Sequence, residues 1–155
     1  MSGSAPTWTS CRARILLRVP EDQPDPRGLL DTSVVIDLDR LDPSRLPREV
    51  AVSAITMAEL AAGPHATSDP DERGRRQDRL QRAEATFDAL PFDGEAARAY
   101  GRVFSAVTAA GRNARGARAV DLLIAATALA AGLPVYTRNG SDFQALDDLL
   151  KIVIV

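Results

Sequence analysis

The sequence predicts one α/β domain: a doubly wound parallel sheet flanked by helices on both faces. Short apolar segments alternate with longer helical patterns from residue 27 to residue 155. The helical segments open on Asp, Ser or Thr directly after the apolar runs, the cap residues expected where a strand turns into a helix. Strands that are apolar on both sides and separated by helices belong to parallel sheets covered from above and below. In such sheets ligands bind beyond the carboxyl ends of the strands.

The chain changes character near Arg27. Residues 1–26 carry Ser2, Gly3 and Ser4, then Pro6, Pro20, Pro24 and Pro26, without sustained periodicity. They are expected to form a poorly ordered extension, with the folded domain at 27–155. Val19 is a candidate alternative start, since GTG initiates translation in bacteria. Gly28 to Asp31 reads as a strand ending in a carboxylate. Thr32-Ser33 offers a cap for the apolar Val34, Val35, Ile36 and Leu38. Glu49 to Ser53 is the second strand, and a helix is predicted from Thr56 to Ala62, stopped by Gly63-Pro64. Asp69-Pro70-Asp71-Glu72 combines a cap, a proline at the first helical position and an acidic first turn. The helix it starts reaches about Ala89 and carries a solvated, salt-laced face. Leu90-Pro91-Phe92 is a brief strand. Asp93 caps a helix to about Ala110, with Ala96, Tyr100, Val103, Phe104 and Val107 at helical spacing. Val120 to Ala131 is a nearly all-apolar, hence buried, helix. Pro134 to Thr137 and Ile152 to Val155 are the last strands.

Composition narrows the function. The chain has 155 residues, 45% hydrophobic and 26% charged, which is enough for one self-supporting core. Its one cysteine, Cys11, excludes a disulfide framework, and its one histidine, His65, excludes a His-rich metal site and the usual catalytic triad. His65 itself reads as a loop residue. The apolar stretch from Leu122 to Val135 is too short to span a bilayer and contains Gly132 and Pro134. Ile15 to Leu17 is too short for a signal peptide's apolar region, so a cytoplasmic protein with no membrane contact is expected. The net charge of −2 argues against a broad basic nucleic-acid surface, but not against a single site that handles nucleic acid. Arginine outnumbers lysine 18 to 1 and there are 26 alanines, the mark of a GC-rich genome.

Four acids stand out by position. Asp31 ends the first strand, Glu59 follows the second, and Asp121 is the one charge in the apolar helix from Val120 onward. Asp142 follows the strand that ends at Thr137. Carboxylates gathered at one rim repel one another unless a cation is bound. A hard divalent cation, Mg²⁺ or Mn²⁺, takes all-oxygen ligands and can activate a water against a phosphodiester. Each acid also has a plainer reading. Thr56-Met57-Ala58-Glu59 fits a capping box. Asp121 suits the first turn of a helix through the helix dipole. Asp31 could cap a helix, and Asp142 could be a turn residue. The functional case rests on their coincidence.

These residues carry a family resemblance over Arg27 to Val155. Leu29-Leu30-Asp31-Thr32-Ser33-Val34-Val35-Ile36, Ser53-Ala54-Ile55-Thr56-Met57-Ala58-Glu59-Leu60 with Gly63 following, Asp121-Leu122-Leu123-Ile124-Ala125-Ala126, and Leu133-Pro134-Val135 through Asp142-Phe143 resemble the four motifs of PIN domains. They are most similar to VapC-type toxin ribonucleases of bacterial toxin–antitoxin pairs. The resemblance implies a PIN-like fold and a Mg²⁺-dependent endoribonuclease that cleaves cellular RNA. It implies Asp31, Glu59, Asp121 and Asp142 as the catalytic acids, with Asp31 and Asp121 as the main metal ligands. Thr32 or Ser33, and Thr137 or Asn139, would orient those carboxylates. It further implies a homodimer neutralised by a VapB-type antitoxin. Val120 departs from the polar or acidic residue that many members carry there, which puts a fifth acid in doubt.

Arg112, Arg115 and Arg118, just upstream of Asp121, are candidate contacts to RNA phosphates or simply a solvated loop. Other classes fit less well. A phospho-acceptor receiver domain needs paired acids after the first strand and a lysine near the fifth. Asp31 has no acidic neighbour, and the one lysine, Lys151, follows Leu149-Leu150. An aspartyl phosphatase wants a second acid two residues after Asp31, where Ser33 stands. A catalytically silent PIN domain used as a binding module would not be expected to keep all four acids.

Overall fold

The computed structural model describes residues 26–155. The expected extension, with Trp8 and Cys11, lies outside the described residues except for Pro26. Four short strands, β1 (Arg27–Leu30), β2 (Glu49–Ala51), β3 (Val135–Thr137) and β4 (Ile152–Ile154), form one sheet in the order β2-β1-β3-β4. Every pairing is parallel, with Leu29 opposite Ala51 on one side and Val135 on the other. Five helices accompany them: α1 (Thr32–Ile36), α2 (Ala54–Ala62), α3 (Pro70–Thr86), α4 (Gly94–Ala109) and α5 (Arg118–Ala131).

Successive residues of a strand face opposite sides of the sheet, and here both sides are dry. Leu29 and Val135 join Val103 and Val107 of α4 and Leu122 and Ile124 of α5 in one buried cluster. Leu30 and Tyr136 join Val34 of α1, Leu60 of α2 and Leu80 of α3 in another. The predicted doubly wound sheet is therefore realised. Strand order reverses between β1 and β3, so the crevice of this fold opens at the carboxyl ends of these two central strands. No helix among the described residues is long and apolar enough to cross a membrane.

Several predicted boundaries move for identifiable reasons. The first helix stops at Ile36, and Leu38–Arg40 forms a separate 3-10 turn. Helix α2 begins at Ala54 rather than Thr56, because the Ser53 hydroxyl accepts from the Thr56 amide at 3.0 Å and so caps the helix. Helix α5 starts two residues before Val120. The Leu90-Pro91-Phe92 strand reduces to one parallel bridge between Leu90 and Ser53, since Pro91 has no amide to continue a ladder. The caps at Asp69 and Asp93 hold, accepting from the Asp71 and Ala96 amides at 3.0 Å each. Helix α5 ends on Gly132 in the left-handed conformation, φ 66°.

Gly28 marks the closest approach within the sheet. A Cβ there would stand 2.4 Å from Cε2 of Tyr136, a ring only 2% exposed. Gly28→Ala should therefore destabilise the domain by about 1–3 kcal/mol, the usual cost of overpacking a filled core. Urea denaturation checks this, and an unchanged midpoint would mean the ring moves freely.

Candidate active site

Asp31 sits where β1 ends, at the crevice, and is 4% exposed. Its Oδ2 accepts from the Ser33 hydroxyl at 2.8 Å and from the Thr137 hydroxyl at 2.9 Å. Thr137 ends β3 and is fully buried, so this bond ties together the carboxyl ends of the two central strands. Both hydroxyls bond the same oxygen, and Oδ1 is not committed to them. Although Asp31 occupies the N-cap position of α1, its side chain makes no cap hydrogen bond. The capping explanation for this residue is thus set aside.

Glu59, half-buried on α2, accepts a short hydrogen bond from the Thr32 hydroxyl. The capping-box reading of Glu59 fails, because Thr56 lies inside α2 and Ser53 holds its amide. Burial raises the Glu59 pKa, the Thr32 hydrogen bond opposes that rise, and the negative charge of Asp31 adds to it. Asp142 lies in the 3-10 turn Gly140–Phe143 that follows β3. The Asn139 side-chain amide donates to its Oδ2 at 2.6 Å, and the Ser141 hydroxyl fixes the other end of that amide at 2.6 Å. The Asn139 backbone amide in turn donates to Thr137 Oγ1 at 3.0 Å. One chain of hydrogen bonds thereby runs from Asp31 through Thr137 and Asn139 to Asp142. A Cβ at Gly140 would stand 2.6 Å from Cδ1 of Ile154, the tip of a 62% exposed side chain that can swing aside.

Asp121 lies in the first turn of α5. There the helix dipole would favour its charged form, yet its pKa is pushed up to about 7. Burial is the main cause, followed by the negative charges of Asp142, Asp31 and Glu59, with Arg118 opposing them. The other three sequence-predicted acids thus lie within electrostatic reach of Asp121, and Asp31 within reach of Glu59. Among the described residues, no three Asp, Glu, His or Cys side chains come together closely enough to grip a metal ion directly. The donor set still suits Mg²⁺, which characteristically keeps several waters and takes one or two carboxylates.

The hydroxyl and amide residues proposed to orient the acids all do so: Thr32 on Glu59, Ser33 and Thr137 on Asp31, Asn139 on Asp142. Two of the three arginines border the site, and Arg118 stands in α5 rather than in a loop. Arg118 acts on Asp121, and Arg112 donates to the Ser141 carbonyl at 3.3 Å. The Arg115 side chain is exposed, and its backbone amide bonds the Asn113 side chain at 2.9 Å. Sequence reasoning missed the ion pair between Arg138 and Asp37. No local pattern in the sequence signals it.

Comparison with known proteins agrees with this geometry. A match to the PIN domain family spans residues 28–149. Ribonuclease VapC5 of Mycobacterium tuberculosis is 37% identical over 131 residues, covering 83% of this chain and 93% of that protein. The VapC ribonuclease Y4jK of Sinorhizobium fredii is 34% identical over 129 residues, covering 76% of this chain and 90% of its own length. Among solved structures, VapBC-5 from M. tuberculosis, a member of the VapBC family of toxin–antitoxin systems, superposes with a TM-score of 0.74 at 38% identity. That match covers 84% of this chain and 99% of the other. A crevice of hydroxyl-braced carboxylates at the reversal of a parallel sheet defines a PIN-like domain. The chain belongs to the PIN domain family.

The raised pKa of Asp121 makes a signed prediction. The fold binds its proton more tightly than the unfolded chain does, so this contribution to stability is complete below about pH 4 and is lost as pH rises through about 7. Asp121→Asn should remove that slope. At pH 8 and without added metal it should be more stable than the parent by about 1–2 kcal/mol, a figure reduced for a half-exposed group. Urea titrations at pH 5 and pH 8 measure this; parallel profiles for the two proteins would contradict it.

Proposed function

We propose that this chain is a Mg²⁺-dependent endoribonuclease and the toxin of a toxin–antitoxin pair. It cleaves cellular RNA in the cytoplasm, works as a homodimer and is neutralised by a VapB-type antitoxin. Its kinship to VapC ribonucleases along most of its length supports the reaction class. Kinship to a VapBC toxin–antitoxin structure supports the partner. The single observation that carries the chemistry is the crevice itself, where Ser33 and Thr137 brace the buried Asp31 and three carboxylates bear on the half-buried Asp121.

In this reading Asp31 and Asp121 are the main holders of the cation, and Glu59 and Asp142 complete the acidic pocket directly or through water. Mn²⁺ can stand in for Mg²⁺. When bound, the metal supplies an activated water and stabilises charge developing on the phosphodiester. The protein's own part is positional. Ser33 and Thr137 fix one oxygen of Asp31, Thr32 steers Glu59, and Asn139 steers Asp142, as outer partners do around metals. Arg118 and Arg112 present positive charge beside the acids, where a phosphate chain would otherwise meet only repulsion.

Cleavage of RNA by purified protein in Mg²⁺ tests the reading. Asp31→Asn and Asp121→Asn should each lower the rate by about 100-fold or more, and EDTA should silence the parent. Thr137→Val, which keeps the shape and removes the hydrogen bond to Asp31, should cost about 10–100-fold, as losses beyond the ligands themselves do. Near-parental activity in either Asn variant, or activity that survives EDTA, would contradict the metal mechanism. Sequencing RNA 5′ ends after brief induction, parent against Asp31→Asn, would identify the RNA that is cut.

A further inference from the structure

We propose that Arg138 grips a phosphate of the RNA at the rim of the carboxylate site and that Asp37 holds this arginine in reserve, competing with the substrate for it; the proposal rests on the ribonuclease reading. Arg138 follows Thr137 at the end of β3. Its backbone amide donates to Ser33 Oγ at 3.1 Å, and Ser33 donates to Asp31 at 2.8 Å. Its backbone is therefore fixed two hydrogen bonds away from the Asp31 carboxylate. The guanidinium reaches back over the end of α1 and pairs with Asp37, with side-chain exposures of 47% and 22%.

This pair is built to be exchanged. Asp37 has a second cation, Arg40, at 3.7 Å, so departure of Arg138 does not strand its carboxylate. Arg138 meets Asp37 through one nitrogen and one oxygen, whereas a phosphate offers the planar guanidinium two oxygens at once. The position also fits a chain laid across the crevice. Arg118 acts on Asp121 from the α5 side, whereas Arg138 stands on the α1 side of the same acids. An RNA strand that entered between them would meet positive charge on both flanks of the repelling centre.

A purely structural tie between α1 and β3 makes a different forecast, because removing either partner of a tie does the same harm. Competition makes the two partners act in opposite directions. Binding of a fluorescent single-stranded RNA oligonucleotide to the full chain, measured by anisotropy in EDTA, reads this without cleavage. Arg138→Ala should weaken binding about five- to tenfold and flatten the salt dependence by about 0.7 in log–log slope, one phosphate's share for a single strand. Arg138→Lys should recover part of the loss. Asp37→Ala should tighten binding about two- to threefold, and should change nothing in the Arg138→Ala background. In Mg²⁺ the effects should fall on KM and spare kcat. Weakened binding in Asp37→Ala, or unchanged binding in Arg138→Ala and Arg138→Lys, would overturn the proposal. RNA binding that follows this pattern without any cleavage would leave it standing and remove the ribonuclease reading. A parent that binds no RNA would remove both.

Discussion

Burial of Asp121 beside three other carboxylates is the constraint on which this site depends. Asp31, Glu59 and Asp142 each act on Asp121 across the crevice where the strand order reverses, although among the described residues no three of these acids come together directly. Water alone would screen such a group if it lay on the surface, but Asp31 is buried and Asp121 and Glu59 are half-buried. Burial is the main cause of a carboxyl at Asp121 that holds its proton up to about pH 7, and the charges of Asp142, Asp31 and Glu59 add to it. A domain stabilised for its own sake would not gather charge in this way. The arrangement makes chemical sense as a site awaiting positive charge.

The fold holds the acids apart and aimed by spending polar side chains where hydrophobic ones would pack as well. Thr137 is fully buried at the end of a central strand and gives its hydroxyl to Asp31 rather than to the core. The path from Asp31 through Thr137 and Asn139 to Asp142 couples two of the acids through backbone and side-chain hydrogen bonds. Leucines and valines on both faces of the sheet keep β1 and β3 in register beneath it. Rigid strands thus determine where Asp31 and Thr137 stand, while the turn bearing Asp142 is held by the hydrogen bonds of Asn139 and Ser141. Arg138 and Asp37 occupy the outer edge of the same network, in the exposed layer where an ion pair can be traded.

Much of this was legible in the residues. A lone aspartate at the head of an apolar helix and another closing an apolar strand pointed to the crevice before any geometry was known, and the alternation of elements gave the doubly wound sheet. Glu59 is not separable from a cap by spacing, since Thr56 precedes it by the three residues of a capping box; only the Ser53 hydroxyl, which takes the Thr56 amide and leaves Thr56 inside the helix, decides it. The Leu90 segment has the apolar character of a strand, but Pro91 has no amide with which to extend the pairing. The Arg138–Asp37 pair spans 101 residues of sequence. No local pattern announces a surface contact of that range, and the arginine-rich composition hides it further.

The central claim is that the acids at the crevice share their repulsion through Asp121 and that a divalent cation relieves it. A carbon-13 NMR titration of the Asp121 carboxyl, assigned by comparison with Asp121→Asn, measures this directly. Without metal the midpoint should lie near 7, and saturating Mg²⁺ should move it down by more than about two pH units, as a bound cation inverts the local electrostatics. A metal-free midpoint near the ordinary 3.8 of an aspartate, or a raised midpoint that Mg²⁺ leaves in place, would contradict the account.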